Sequence, residues 1–198
     1  MNLQPAGEKS ISGYEPVPPT SENGWDRGWP QTSGEFGMLV EVYLDRLVLS
    51  AFRRLGNLSD AEDVVQEVFV RAYTDRFKRK KIAHVGPYLY RMVNNVCTDI
   101  LRKRKRQGLA LEEIRAESIH DAQNNQSDTA AAIEETQRVE KLLRRLPGKQ
   151  AEVIRLRVFD ELRLSEIAEV VGCSIDTVNS RLRYGFRKLR KIVSREQE

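Results

Sequence analysis

From Ala61 to Tyr73 the chain reads AEDVVQEVFVRAY, with apolar residues returning every three or four positions. Wound at helical pitch, that spacing puts Ala61, Val64, Val65, Val68, Phe69 and Ala72 on one side, the face of a half-buried helix. The preceding run FGMLVEVYLDRLVLSAFRRL, Phe36 to Leu55, carries a broader apolar stripe and predicts another helix. Between them GNLSD is a turn, with Asp60 as the expected N-cap. A third helix is expected through YLYRMVNNVCTDILRKRKRQ, burying Leu89, Met92, Val93, Val96 and Ile100, with Pro87 suited to its first position. Near the C-terminus, LSEIAEVVGCSIDTVNSRLRYGFRKLR breaks at Gly172, where a sharp turn needs positive φ, and restarts at once. Ser174 is the expected N-cap of the restarted helix, and Asp176 suits the positive end of its dipole. Val178, Leu182, Phe186 and Leu189 then form a core stripe against Ile167, Ala168 and Val171. Every patterned stretch is helical, so the expected fold class is all-α.

The polar faces carry the functional signal. Opposite the last stripe lie Asp176, Ser180, Arg183, Tyr184 and Arg187, a basic, hydrogen-bonding surface. Two short helices meeting at a glycine, the second basic on one side, form the pattern of a helix-turn-helix whose second helix enters the DNA major groove. The plainer reading is a basic amphipathic pair on an ordinary bundle. On the Ala61–Tyr73 helix the outward side holds Asp63, Gln66, Glu67 and Val70. An acidic patch centred on an exposed valine suits a basic protein partner better than DNA. Taken alone, it could equally be a solvated face. Two basic runs, RFKRKKIAHVG and RKRKR, flank the third helix. Such runs suit a nucleic-acid backbone, with Asn and Tyr side chains free to read or stack on bases.

Charge divides the 198 residues further. The net charge is only +4, yet residues 36–106 and 138–198 are basic, while 107–137 hold seven acidic residues against one basic. That spacer, with HDAQNNQSD at its centre, has too few apolar residues for a core and reads as a linker with a short helix around Ala110 to Glu117. The first thirty-five residues, rich in Pro, Gly and Ser, read as a disordered extension. No stretch has the length of a membrane span, and the N-terminus lacks the order of a signal peptide. Cys97 and Cys173 form no metal spacing or disulfide framework, which suits a reducing cytosol. His84 and His120 have no partner at ligand spacing, and Asp63 with Glu67 lacks a further ligand, so an enzyme acting on nucleic acid is disfavoured.

In this order, AEDVVQEVFVRAY, YLYRMVNNVCTDILRKRKR, Leu146–Pro147 and SRLRYGFRKLR resemble bacterial RNA polymerase sigma factors of the extracytoplasmic-function type. This is the compact group of the sigma-70 family with two conserved domains. The resemblance covers about residues 36–106 and 138–198. It implies a region 2-like helical bundle and a region 4-like helix-turn-helix domain, joined by a flexible acidic linker over 107–137. It implies core RNA polymerase and promoter DNA as partners, adds an anti-sigma factor as a candidate, and implies no catalytic residue or cofactor. The expected location is the cytoplasm, with no membrane contact of the chain's own. By resemblance, Asp63, Gln66, Glu67 and Val70 grip the polymerase. Asn95 matches the family's usual asparagine at the −10 element, with Lys80, His84, Tyr88 and Arg91 lining the same region. Asp176, Asn179, Ser180, Arg183, Tyr184 and Arg187 face the −35 element.

The chain also departs from the family pattern. Tyr88 stands where tryptophan is usual, Asn179 replaces a commoner basic residue, and Tyr184–Phe186 replaces a basic-and-alanine run. Arg163 sits where a capping Ser or Thr is frequent, and the N-terminal extension is longer than the norm. Promoter sequence therefore does not carry over. The alternative function is a stand-alone helix-turn-helix regulator, which would normally bind a two-fold site as a dimer and have no use for the acidic face.

Overall fold

The structure, a computed structural model, describes residues 25, 28–75, 82–107 and 138–196. Among these residues there is no strand, and seven helices follow one another. They are α1 (Ser33–Leu55), α2 (Leu58–Asp75), α3 (Val85–Arg106), α4 (138–144), α5 (Gly148–Val158), α6 (Leu164–Val171) and α7 (Ile175–Glu196). The acidic spacer and the helix expected around Ala110 to Glu117 lie outside the described residues.

The first half is a three-helix bundle. α1 starts three residues before its apolar stripe, because Thr32 and Glu35 close a capping box. The Glu35 N–H donates to Thr32 Oγ1 at 3.1 Å, and Glu35 Oε2 accepts from the Thr32 N–H at 3.1 Å. Within the extension expected to be disordered, residues 33–35 are instead helical and Trp29 and Pro30 are buried, while residues 1–24 lie outside the described residues. α1 ends at Gly56, whose φ of 78° is the left-handed conformation glycine tolerates best. The expected cap of α2 is also corrected. Asn57, not Asp60, caps it, accepting the Asp60 N–H on Oδ1 at 2.9 Å. The Asp60 carboxylate instead takes a 2.6 Å hydrogen bond from Arg104 of α3.

All six residues predicted for the inner face of α2 are buried, each Val or Phe contributing about 1.5–3 kcal/mol of transfer free energy. α3 begins at Val85, so Pro87 is its third residue rather than its first. Leu89 and Val93 are buried as expected, but Met92, Val96 and Ile100 are only half-buried. Tyr88, Tyr90, Asn94 and Cys97 are buried too: Trp29 packs on Tyr88, Arg54 of α1 bonds Asn94, and α6 of the other half lies against α3.

That other half packs α4 to α7 around Leu143, Val153, Ile154, Leu156, Ile167, Val178 and Leu182. Glu140 of α4 is fully buried and holds Arg155 of α5 in a fork, with contacts of 2.8 to 3.1 Å. Gly172 takes φ 64° between α6 and α7, and the Thr177 N–H donates to Ser174 Oγ at 3.2 Å, as expected for the cap. Arg163 contributes its backbone N–H to Glu166 Oε2 at 2.7 Å, so Glu166 does the capping that the missing Ser or Thr would share. Gly185 lets α7 lie close to α5, since a Cβ there would meet Ile154 Cδ1 at 2.7 Å.

A polar seam joins the halves. Asp160, in the turn after α5, accepts from Ser50 at 3.1 Å and from Arg53 at 3.2 Å, both on α1. The Arg53 guanidinium also lies 4.8 Å from the centre of the Phe159 ring. Arg54 donates to Asn94, and to Thr98 at 3.1 Å, while Glu152 of α5 lies 3.9 Å away. The turn that delivers Asp160 is strained. Glu161 adopts φ 55°, where a residue with a Cβ carries a cost of roughly 1–2 kcal/mol.

The seam should titrate. Burial lifts the Asp160 carboxyl from the ordinary 3.8 to about 6, outweighing the opposing effects of Arg53, Ser50, Arg54 and Arg155. The folded state therefore holds this proton more tightly than the unfolded chain does. Its stabilising contribution is complete below the ordinary value and is lost as pH rises through about 6. Relative to Asp160→Asn, the wild-type melting midpoint should rise as pH falls from about 7.5 to about 5. Parallel pH profiles for the two proteins would show that Asp160 is not the titrating group.

Candidate functional site

Three surfaces emerge from this frame. The first follows from burial of the inner face of α2, which leaves Asp63, Gln66, Glu67 and Val70 on the outside, all exposed. Val70 is 65% exposed, more than any other large apolar side chain among the described residues. Glu67 pairs with Arg71 one turn along, an exposed pair that solvent screens. Asp63 and Glu67 therefore remain available as acceptors beside an apolar contact point.

The second surface is on α7. Val178 and Leu182 are buried and Phe186 and Leu189 half-buried, which turns Asp176, Asn179, Arg183, Tyr184 and Arg187 to solvent, with Ser180 half-buried beside them. Tyr184 organises this face. The Arg183 and Arg187 guanidinium carbons lie 5.3 Å and 4.8 Å from its ring centre, so one aromatic ring holds both cations. Planar guanidinium groups so held suit bidentate recognition of a guanine edge or a phosphate.

The third surface is a recess of about 210 Å³ at the start of α3. Ile82, Ala83, His84, Pro87, Tyr88 and Arg91 line it, and Glu169 of α6 forms its remaining wall. His84 Nδ1 and Glu169 Oε1 stand 2.7 Å apart across the mouth. The Arg91 guanidinium lies 5.8 Å from the Tyr88 ring centre. Of the five residues expected together here, His84, Tyr88 and Arg91 share the recess. Asn95 is exposed one turn beyond Arg91, and Lys80 lies outside the described residues. Tyr88 is only 8% exposed, so little of its ring is open to a stacking base.

Comparison with known proteins now bears on these surfaces. The Sigma-70 region 2 model matches residues 39–107, and the Sigma-70, region 4 model matches residues 136–189. SigW of Bacillus subtilis (strain 168), an ECF RNA polymerase sigma factor, is 30% identical over 168 residues, covering 79% of this chain and 87% of that protein. The chain belongs to the sigma-70 family, in its extracytoplasmic-function group.

A sigma-E factor of Streptomyces avermitilis matches this sigma factor at 30% identity over 159 residues, covering 79% of the chain and 84% of the relative. Two solved structures share the fold. CnrH bound to the cytosolic domain of CnrY aligns with a TM-score of 0.62 at 24% identity, covering 83% of this chain and 90% of that one. RpoE bound to the anti-sigma factor NepR from Bartonella quintana aligns at 0.59 and 20%, covering 81% and 97%. In the sigma factor described here, the sequence reading missed Trp29, Glu169 and the Asp160 seam. Trp29 lies in a Pro- and Gly-rich stretch without periodicity. The other residues meet their partners only across the two halves.

Burial raises the Cys97 thiol to about 11, and Cys173 is half-buried in the turn before α7. Among the described residues no group of three His, Cys, Asp or Glu side chains could hold a metal ion. No helix among them is long and apolar enough to cross a membrane.

Proposed function

We propose that this sigma factor grips core RNA polymerase through the acidic face of α2, reads the −35 element with α7 and holds the opened −10 strand at the recess of α3. As a sigma factor it directs promoter recognition for transcription initiation with core RNA polymerase. The residue assignments are our own reading. Residues 36–106 act as the polymerase-binding and −10 domain, 138–198 as the −35 domain, and 107–137 as the acidic connection. The observation that carries this reading is the face of Asp63, Gln66, Glu67 and the widely exposed Val70, on a helix whose opposite side is completely committed to the core. A stand-alone repressor has no use for such a face. The reading requires no catalytic residue, metal or cofactor, and it places the protein beside the polymerase in the cytoplasm. An anti-sigma factor is a further expected partner, since the similar RpoE structure is a complex with one.

Reversing charge with Asp63→Lys and Glu67→Lys should abolish co-purification with core polymerase while the circular dichroism stays native, because both side chains leave the core untouched. A like-charge juxtaposition costs several kcal/mol at a complementary interface. Unchanged binding by a folded variant would remove the assignment.

On α7, Arg183→Ala should cost about 1–3 kcal/mol and relax base preference at one −35 position. Arg187→Ala, nearer a phosphate, should weaken all sequences alike and lower the salt slope by about one. Selection from a −35 library is the measurement. An Arg183→Ala variant with wild-type preference means that another face of α7 reads the DNA.

The recess supports a further part of this reading, that DNA binding needs polymerase. Its far wall is the Glu169 carboxylate, so a DNA phosphate entering beside Arg91 meets negative charge until α6 leaves α3. Core polymerase favours opening if it binds the separated halves better than the closed ones. The isolated protein should therefore shift promoter DNA weakly, and adding core enzyme should make the shift tight and specific. Tight, specific binding by the isolated chain would instead favour the stand-alone regulator.

A further inference from the structure

The segment ahead of α1 is tied down on both sides of one buried ring. Trp25 Nε1 donates to the Gly28 carbonyl at 2.8 Å, and a backbone hydrogen bond joins Trp25 to the Tyr43 hydroxyl of α1. Gln31 Nε2 donates to the Trp29 carbonyl at 2.8 Å, while the Gln31 N–H donates to Glu35 Oε2 at 2.8 Å. Between these ties Trp29 is only 5% exposed. Its ring meets the Tyr88 ring edge-to-face, with centroids 5.3 Å apart and planes at 89°. Tyr88 forms a wall of the recess and in turn lies beneath the Arg91 guanidinium. Contact thus runs from the N-terminal segment through one tyrosine to the cation at the recess. A ring held in an edge-to-face pair in a packed site keeps a single rotamer, and the cation resting on it inherits that placement.

We propose that Trp29 is a positioning residue of the −10 site: it holds Tyr88, and through it Arg91, in the orientation that presents the recess to the unpaired promoter strand. Buried as it is, Trp29 acts through Tyr88 and does not touch DNA. The residues just before α1 are then part of the promoter-opening apparatus rather than a passive leader. This inference rests on the reading of the recess as the −10 site.

The test uses the full chain bound to core polymerase. Open complexes are read by permanganate reactivity of unpaired thymines in the −10 element, and polymerase affinity by co-purification. Trp29→Leu keeps apolar bulk and removes the ring. It should lower open-complex yield about 3- to 10-fold, the range an edge-to-face pair is worth, with core binding unchanged. Trp29→Phe, which keeps an aromatic ring, should fall between Trp29→Leu and the wild type. Because Trp29 acts through Tyr88, adding Trp29→Leu to Tyr88→Ala should lower opening no further than Tyr88→Ala alone. A merely structural tryptophan would instead reduce core binding together with opening, and its effect would add to that of Tyr88→Ala. Wild-type opening by Trp29→Leu beside an impaired Tyr88→Ala overturns the inference, and so does additivity. Should Trp29→Leu fail to fold, Trp29→Phe decides: wild-type opening there overturns it as well. Wild-type opening by Tyr88→Ala has a different meaning, because it removes the recess from the −10 site altogether.

Discussion

Burial of one face of α2 between its neighbours is the constraint on which the rest depends. A helix with six apolar residues in a single stripe has one favourable rotation about its axis, and that rotation turns Asp63, Gln66, Glu67 and Val70 outward. Turning the acidic face inward would bury carboxylates without partners, a far larger penalty than any gain from covering Val70. The core thus selects the surface proposed to bind polymerase without touching it. The same logic operates on α7, where burying Val178 and Leu182 leaves Arg183, Tyr184 and Arg187 in solvent.

The two halves meet through both apolar and polar contacts. One hydrophobic core runs through both, with α6 packed on α3, and Asp160, Arg53, Ser50, Arg54 and Glu152 add a polar seam beside it. Buried ionic contacts balance a large desolvation cost against a large attraction, so their net contribution is small while their geometric demand is strict. Such polar contacts hold one arrangement of the two halves. Glu169 against His84 belongs to the same junction, and it places a carboxylate in the wall of the recess.

Local strain follows from that junction. Glu161 takes a left-handed conformation beside Asp160, in the turn that lets the Leu162 N–H reach the Leu156 carbonyl at 3.0 Å. The turn and the seam are therefore one feature: the backbone bends sharply so that the acidic side chain arrives between Ser50 and Arg53. At the opposite end of the first half, Trp29 contributes aromatic mass to the core from outside any helix.

Helical periodicity by itself determined the all-α class, the inner face of α2, the stripe of α7, the glycine turn at Gly172 and the Ser174 cap. Each depends on residues within a few positions of one another, so composition and spacing suffice. The motif order also carried the family. The same local reading placed the cap of α2 on Asp60 rather than Asn57, and passed over the T-S-G-E capping box that starts α1 early. Both caps were within reach of sequence inspection. What the chain's order alone could not supply were meetings between distant residues. Tyr88 with Trp29, Asp160 with Arg53, and Glu169 with His84 are far apart in sequence, and no periodicity relates their positions. Burial of Tyr90, Asn94 and Cys97 is likewise a tertiary decision, since α3 is covered on a side that its own pattern leaves half polar. A helix announces the face it needs to bury. Only a second surface arriving from elsewhere decides how much more of it is lost to solvent.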